Sequence, residues 1–182
     1  MNITAMYFSG TGTTKKVTAA IADELTEIKI SQDETAAGEN PGSIKAGIKP
    51  WQRAEDIDFT SSAARREIYR FAPDDLVVFG VPVIAGRVPN VLLKFLDTLQ
   101  GGGALAVPVV LYGNRNFDDA LIELRNILQD RGFYAIGAAA FIGEHSFSRI
   151  LAAGRPDSSD MELSRDFARK LAGKIRRLGA AG

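Results

Sequence analysis

Six consecutive residues, Ser9, Gly10, Thr11, Gly12, Thr13 and Thr14, mix hydroxyls with glycines directly after an apolar run at 3–8. Beyond them apolar residues recur at Val17, Ala20, Ile21 and Leu25, which is helical spacing. The run therefore sits at a helix N-terminus, where unpaired N–H groups and the helix dipole attract an anion. Glycines let the backbone approach such a ligand, and the Ser and Thr hydroxyls add donors without adding charge. Spacing excludes the commoner phosphate loops. Five positions after Gly10 stands Lys15, where a dinucleotide fingerprint needs Gly or Ala and a Walker loop needs Gly. The group expected here is a terminal phosphomonoester; the plainer alternative is a Gly/Thr turn with a threonine cap.

Two further segments carry the residue types of a ring-binding wall. The first holds Pro82, Val83, Ile84, Ala85, Gly86 and Arg87, and the second Gly113, Asn114, Arg115, Asn116 and Phe117. One offers apolar surface and free backbone groups around a glycine, the other an amide beside an aromatic ring. Such walls suit a flat heteroaromatic ring with polar edges, although two structured turns would leave the same pattern. His145, the only histidine, follows a later strand and is expected at a pocket rim or in a structural role rather than in acid/base work. Arg87 has two candidate partners, an anionic ligand or a carboxylate on the protein's own surface.

The scaffold that must bring these loops together is legible as alternation. Residues 75–81 (DLVVFGV), 107–112 (VPVVLY) and 134–142 (YAIGAAAFI) read as buried strands, and 90–99, 118–130 and 160–178 read as helices. Repeated βα units imply a doubly wound parallel sheet with helices on both faces, in which ligands lie outside the carboxyl ends of the strands. Gly132 closes the helix before the last strand. The alternation is interrupted at 31–54, a polar stretch long for a connection in a compact domain, and expected to be an insertion. The second strand falls either before it, at 27–30, or after it, at 55–59. Trp51, the only tryptophan, is expected to pin the stretch to the body.

Composition narrows the function classes. The chain has 182 residues, 46% of them hydrophobic, which suits a single domain over 1–182 with one substantial core. The absence of cysteine rules out disulfides and Cys-ligated zinc or iron–sulfur clusters within the chain, so redox chemistry would need a bound organic cofactor. No metal site is expected. Lys plus Arg and Asp plus Glu number 22 each, which gives no electrostatic case for nucleic acid. The basic group Lys170, Lys174, Arg176 and Arg177 suits a helix C-terminus complementing its dipole. The apolar runs are strand-length, and no signal-like segment precedes the first strand, so a cytoplasmic protein without membrane insertion is expected.

At these residues the sequence resembles the flavodoxins, and more closely the flavodoxin-like domains of bacterial and archaeal flavodoxin–ferredoxin fusion proteins. The stretches that carry the resemblance are YFSGTGTTKKVTAAIA, DDLVVFGVPVIAGRVPN, YGNRNFDDALIELRNIL and FIGEHSFSRILAAGRPD. It implies an α/β fold with a five-stranded sheet in order 2-1-3-4-5, the second strand at 55–59, and non-covalent FMN. Ser9, Gly10, Thr11, Gly12, Thr13 and Thr14 would hold the phosphate. Pro82, Val83, Ile84, Ala85, Gly86 and Arg87, with Gly113, Asn114, Arg115 and Phe117, would flank the isoalloxazine, Phe117 on one face and Ile84 against the other face or edge. The implied role is electron transfer through the flavin semiquinone to or from a redox partner of ferredoxin or flavin-reductase type. The alternative is an FMN-dependent NAD(P)H or quinone reductase on the same fold. A receiver domain of the same fold class would need acidic residues at the end of the first strand, where Phe8, Ser9 and Gly10 stand. Two departures stand out: Ile84 occupies a position often filled by Tyr, and the Cys-rich segment of the fusion relatives has no counterpart in a sequence without cysteine.

Overall fold

The computed structural model describes residues 1–39, 51–148 and 150–180. Its elements in chain order are β1 (Asn2–Tyr7), α1 (Thr13–Glu39), β2 (Gln52–Arg53), β3 (Ile57–Asp58), β4 (Asp75–Pro82), α2 (Asn90–Leu96), β5 (Leu105–Tyr112), α3 (Ala120–Asp130), β6 (Tyr134–Ala135), β7 (Ala139–Ile142) and α4 (Ser158–Ala180). A short 3-10 turn lies at Ala64–Arg66. All the ladders are parallel, with β1, β4 and β5 in the centre, β2 and β3 sharing one edge, and β6 and β7 sharing the other. The five sheet positions thus run in the expected order 2-1-3-4-5.

The central strands are apolar on both faces because helices cover both. Ile3, Ala5 and Tyr7 of β1, Val78 of β4, and Val107, Val109 and Leu111 of β5 point to one face, where they meet Val17, Ile21 and Leu25 of α1 and Ala168 and Leu171 of α4. The opposite set, Met6, Val77, Phe79, Val81 and Val110, meets Leu92, Phe95 and Leu96 of α2 and Leu124 and Leu128 of α3. Alternate residues of each strand therefore feed two cores. An ion pair from Arg169 to Glu24 at 2.9 Å ties α4 to α1 on their outer side. None of the helices among the described residues is long and apolar enough to cross a membrane.

The stretch 31–54, expected to be an insertion, begins as helix and ends in an edge strand. Helix α1 runs on to Glu39, so 27–30 is helix and not strand, and Gln52–Arg53 already pairs with Asn2 and Ile3. The edge strand then breaks at 54–56 and resumes at Ile57–Asp58. At the break Arg53 donates to Asp23 at 2.7 Å, to the Ala54 carbonyl at 2.6 Å and to Asp56, so its guanidinium holds the detour. Trp51 packs half-buried against the core on the α1 face. Residues 40–50 lie outside the described residues. The opposite edge strand, expected unbroken over 134–142, is interrupted at 136–138. There α4 presses on the backbone: a Cβ at Gly137 would lie 2.5 Å from Leu171 Cδ2.

Helix α1 is seated by a similar close approach. A Cβ at Gly80 would fall 2.1 Å from Thr18 Oγ1 and 2.9 Å from Thr14 Cγ2, both side chains being buried. Gly80→Ala is therefore expected to lower stability by roughly 1–3 kcal/mol through overpacking, read by urea unfolding. Adding Thr18→Ala should restore part of the loss; equal losses in the single and double variants would show that the helix contact is not the cause.

Candidate functional site

Between β1 and α1 the chain makes few bonds to itself. Phe8 N–H donates to the Gly80 carbonyl at 3.0 Å and Ser9 N–H to Thr60 Oγ1 at 2.9 Å. Ser9 Oγ accepts from Lys15 N–H at 3.0 Å, and the Gly12 carbonyl accepts from Lys16 N–H, also at 3.0 Å. Gly12 has φ +86°, a conformation that favours glycine. The N–H groups of Gly10, Thr11, Gly12, Thr13 and Thr14 bond to no acceptor among the described residues. Beside them, Thr11 Oγ1 and Thr13 Oγ1 lie 3.2 Å apart. Beneath the turn, burial and the carboxylates of Asp56 and Asp58 push the Tyr7 phenol up to about 12, so it stays neutral and bonds Asp56 at 3.3 Å.

This turn opens into a cavity of about 520 Å³ at the carboxyl ends of the central strands. Gly10, Thr11, Thr13 and Thr14 line one part, Pro82, Val83, Ile84, Ala85 and Gly86 a second, and Gly113 and Arg115 a third. The sequence-derived loops do converge. The 82–87 segment is a tight hairpin in which Ile84 and Arg87 exchange N–H to carbonyl bonds of 3.0 and 3.1 Å. Its central residues Ala85 and Gly86 have φ of +52° and +75°, a type I′ turn. Asn114 and Asp118 also have positive φ, at +71° and +42°, so strained non-glycine backbone gathers around the cavity.

Five of the expected site residues, Ser9, Gly12, Arg87, Asn114 and Phe117, do not line the cavity. Ser9 and Gly12 shape the turn through the bonds given above. Arg87 turns to α3 and forms a two-pronged pair with Glu123 at 2.9 and 2.7 Å, while Val88 N–H donates to the same carboxylate at 2.8 Å. Its partner is a carboxylate on its own surface. The hydrogen bond from Arg87 holds the Glu123 carboxyl below the usual range. Asn114 N–H is taken by the Tyr112 carbonyl at 3.1 Å. Phe117, expected against a ring in the cavity, packs instead on Tyr112 with centroids 5.5 Å apart and joins the core on the α2/α3 face.

The structure adds a further wall, the loop after β7. Gly143, Glu144, His145, Ser146 and Phe147 all line the cavity. His145 is thus at the rim, and its Nδ1 accepts the N–H groups of Phe147 and Ser148, each at 3.1 Å. Gly143 N–H donates to the Tyr112 carbonyl at 3.0 Å, and Glu144 N–H to the Arg155 carbonyl at 2.9 Å. The available signal was the apolar residue in a polar loop leaving the same end of the sheet. Lys16 Nζ donates to the Pro156 carbonyl at 2.9 Å, tying the far end of this loop to α1.

No protein-family model matches the sequence, and no curated protein matches it. Solved structures share its fold. A flavodoxin from Streptococcus pneumonia is 14% identical, with 96% of this chain and 99% of that one covered, at a TM-score of 0.55. Oxidised Flavodoxin 1 from Bacillus cereus is 17% identical, with 95% and 98% covered, at 0.54. An NADH:FMN oxidoreductase in its apo form is 16% identical, with 94% and 88% covered, at 0.57. The chain has a flavodoxin-like α/β fold.

The wall after β7 depends on one buried carboxylate. Asp160 receives the Arg155 guanidinium and Asp157 N–H at 2.9 Å, while Asp157 Oδ1 accepts Asp160 N–H at 3.0 Å, a reciprocal cap at the start of α4. The Arg155 hydrogen bond, opposed by burial, holds the Asp160 carboxyl below its ordinary value. Such a group stabilises the fold above the unfolded carboxylate range, near pH 4, and the contribution is lost as pH falls through the folded value. Asp160→Asn is expected to be less stable at pH 7 and to lose less stability on acidification, read by urea unfolding at pH 7 and pH 3. Parallel profiles for the two proteins would contradict this.

Proposed function

We propose that the protein binds FMN in this cavity and carries electrons between redox partners. The observation that carries the reading is the run of N–H groups at residues 10–14, without protein acceptors among the described residues, at a helix N-terminus that opens into the cavity. The residues fit the two ends of such a ligand. Hydroxyls and N–H groups stand at the α1 end, and Val83, Ile84 and Ala85 give apolar surface at the other. The flavodoxin and FMN oxidoreductase neighbours support this cofactor class at the level of fold.

Bound FMN would supply a centre that takes up and gives back electrons, singly or in pairs. The protein's part is to bind and tune. Residues 10–14 would hold the phosphate dianion, with the Thr11 and Thr13 hydroxyls adding donors. The peptide between Ala85 and Gly86, at the tip of the hairpin, would offer a hydrogen bond to a ring edge. His145 has Nδ1 committed to two backbone N–H groups, which favours a structural cap over a proton-transfer partner. A carrier needs no such partner, and this favours a carrier over a self-sufficient NAD(P)H or quinone reductase. Cys-ligated redox clusters, if used, would lie outside this sequence, which has no cysteine.

FMN should bind in about one-to-one ratio, in preference to FAD and far more tightly than riboflavin. Calorimetry with the three flavins tests this, and equal affinity for riboflavin would remove the phosphate role of the turn. Thr13→Ala should cost roughly 1–3 kcal/mol of FMN affinity, the range for hydrogen bonds to a charged group. The carrier role is tested by reduction kinetics: slow with NADH or NADPH alone, fast with a reductase or reduced ferredoxin. Steady quinone turnover by NAD(P)H without a partner would establish the reductase instead.

A further inference from the structure

Phe147 is 92% exposed, yet its ring lines the cavity. The other aromatic residues on the lining already have protein neighbours. Phe8 packs on Phe59 with centroids 6.3 Å apart and lies under the Arg65 guanidinium at 5.6 Å. Tyr112 packs on Phe117. Among the described residues Phe147 has a single ring contact, edge-on with His145 at 6.3 Å between centroids. Large apolar side chains in water are unfavourable in proportion to their exposed area, and a flat body in the cavity would bury part of this one.

Its backbone is held in place. The Phe147 N–H bond to His145 Nδ1 closes the turn, and His145 N–H donates to the Leu151 carbonyl at 3.2 Å. His145 lies flush against the neighbouring loop, for a Cβ at Gly113 would sit 2.8 Å from its Cδ2. The position of Phe147 is therefore fixed relative to the 113–118 wall. In that wall Phe117 packs half-buried against the core on the α2/α3 face and is not among the lining residues, and the opposite wall offers the aliphatic Ile84.

We propose that Phe147 is the aromatic residue that packs against the flavin ring, so that the loop after β7 completes the ring site that Phe117 leaves open. This rests on the reading that the cavity takes FMN. The contact belongs to the ring and not to the phosphate, so its removal should affect FMN and riboflavin alike.

The test uses the full chain with Phe147→Ala and Phe147→Trp, titrated with FMN and riboflavin and followed by flavin fluorescence. At so exposed a position both variants should melt with the wild type. Phe147→Ala should weaken both flavins by about five- to tenfold and leave the ratio of their affinities unchanged. Phe147→Trp should quench the bound flavin, because an indole donates electrons to the excited ring more readily than a phenyl group. Tight FMN binding by the wild type, with affinity unchanged in Phe147→Ala and emission unchanged in Phe147→Trp, would overturn the assignment and leave Phe147 to a protein partner. A loss confined to FMN would also overturn it, by placing the effect at the phosphate. Absence of FMN binding in the wild type would overturn the cofactor reading and this inference together.

Discussion

The first turn of α1 begins without acceptors for its backbone, and the site is arranged around that deficit. A helix start normally satisfies its leading N–H groups with a capping side chain. Here Ser9 Oγ accepts only the N–H of Lys15, the third residue of α1, and Gly12 opens the backbone through its positive φ. The donors of residues 10–14 are left without acceptors among the described residues. Placing that turn correctly is then the task of the sheet. Phe8 is bonded to Gly80, and the bare backbone of Gly80 lets Thr14 and Thr18 come close to β4. Two residues beyond Gly80 the hairpin of the second wall begins, so the turn at 10–14 and the hairpin are fixed to each other through one strand.

The remaining walls are held by side chains that do not themselves face the cavity. Glu123 clamps the hairpin through Arg87 and Val88 N–H, and Asp160 clamps the loop after β7 through Arg155. Strained backbone at Ala85, Asn114 and Asp118 lies between these anchors. Such conformations persist where the surroundings over-determine them, and they gather where a backbone must present itself to a ligand. The arrangement favours recognition by main-chain groups and apolar surface over recognition by charge, in keeping with a lining that carries both signs, Arg115 with Asp118 and Glu144.

Much of this was legible in the residues. The central strands announce themselves as continuous apolar runs because helices cover both of their faces, and the hydroxyl-glycine turn stands out because strand, turn and helix follow in order. The edges were less legible. Two-residue ladders such as Gln52–Arg53 and Ile57–Asp58 are too short to show a period, and Arg53 shapes the break between them through partners far away in sequence. Residues 31–39 read as irregular because they lack apolar spacing, but Glu34, Ala36 and Ala37 are good helix formers and α1 simply continues. Phe117 illustrates the limit at the site itself. Residue type marks it as a ring partner, while in the fold it packs on Tyr112 and half-buried against the core, and the loop after β7 brings a further aromatic residue, Phe147, to the cavity.

The central claim is that the free N–H groups of the β1–α1 turn hold a phosphate while the cavity beside them holds the ring. Amide chemical shifts of nitrogen-15-labelled protein, followed through a titration with FMN and then with riboflavin, test it most directly. The account predicts that FMN shifts the amide signals of Gly10, Thr11, Gly12, Thr13 and Thr14 saturably, along with those of the 82–87 and 143–147 loops. Riboflavin should move the loops and leave the turn nearly unchanged. Saturable binding of FMN with the signals of residues 10–14 unmoved would contradict it.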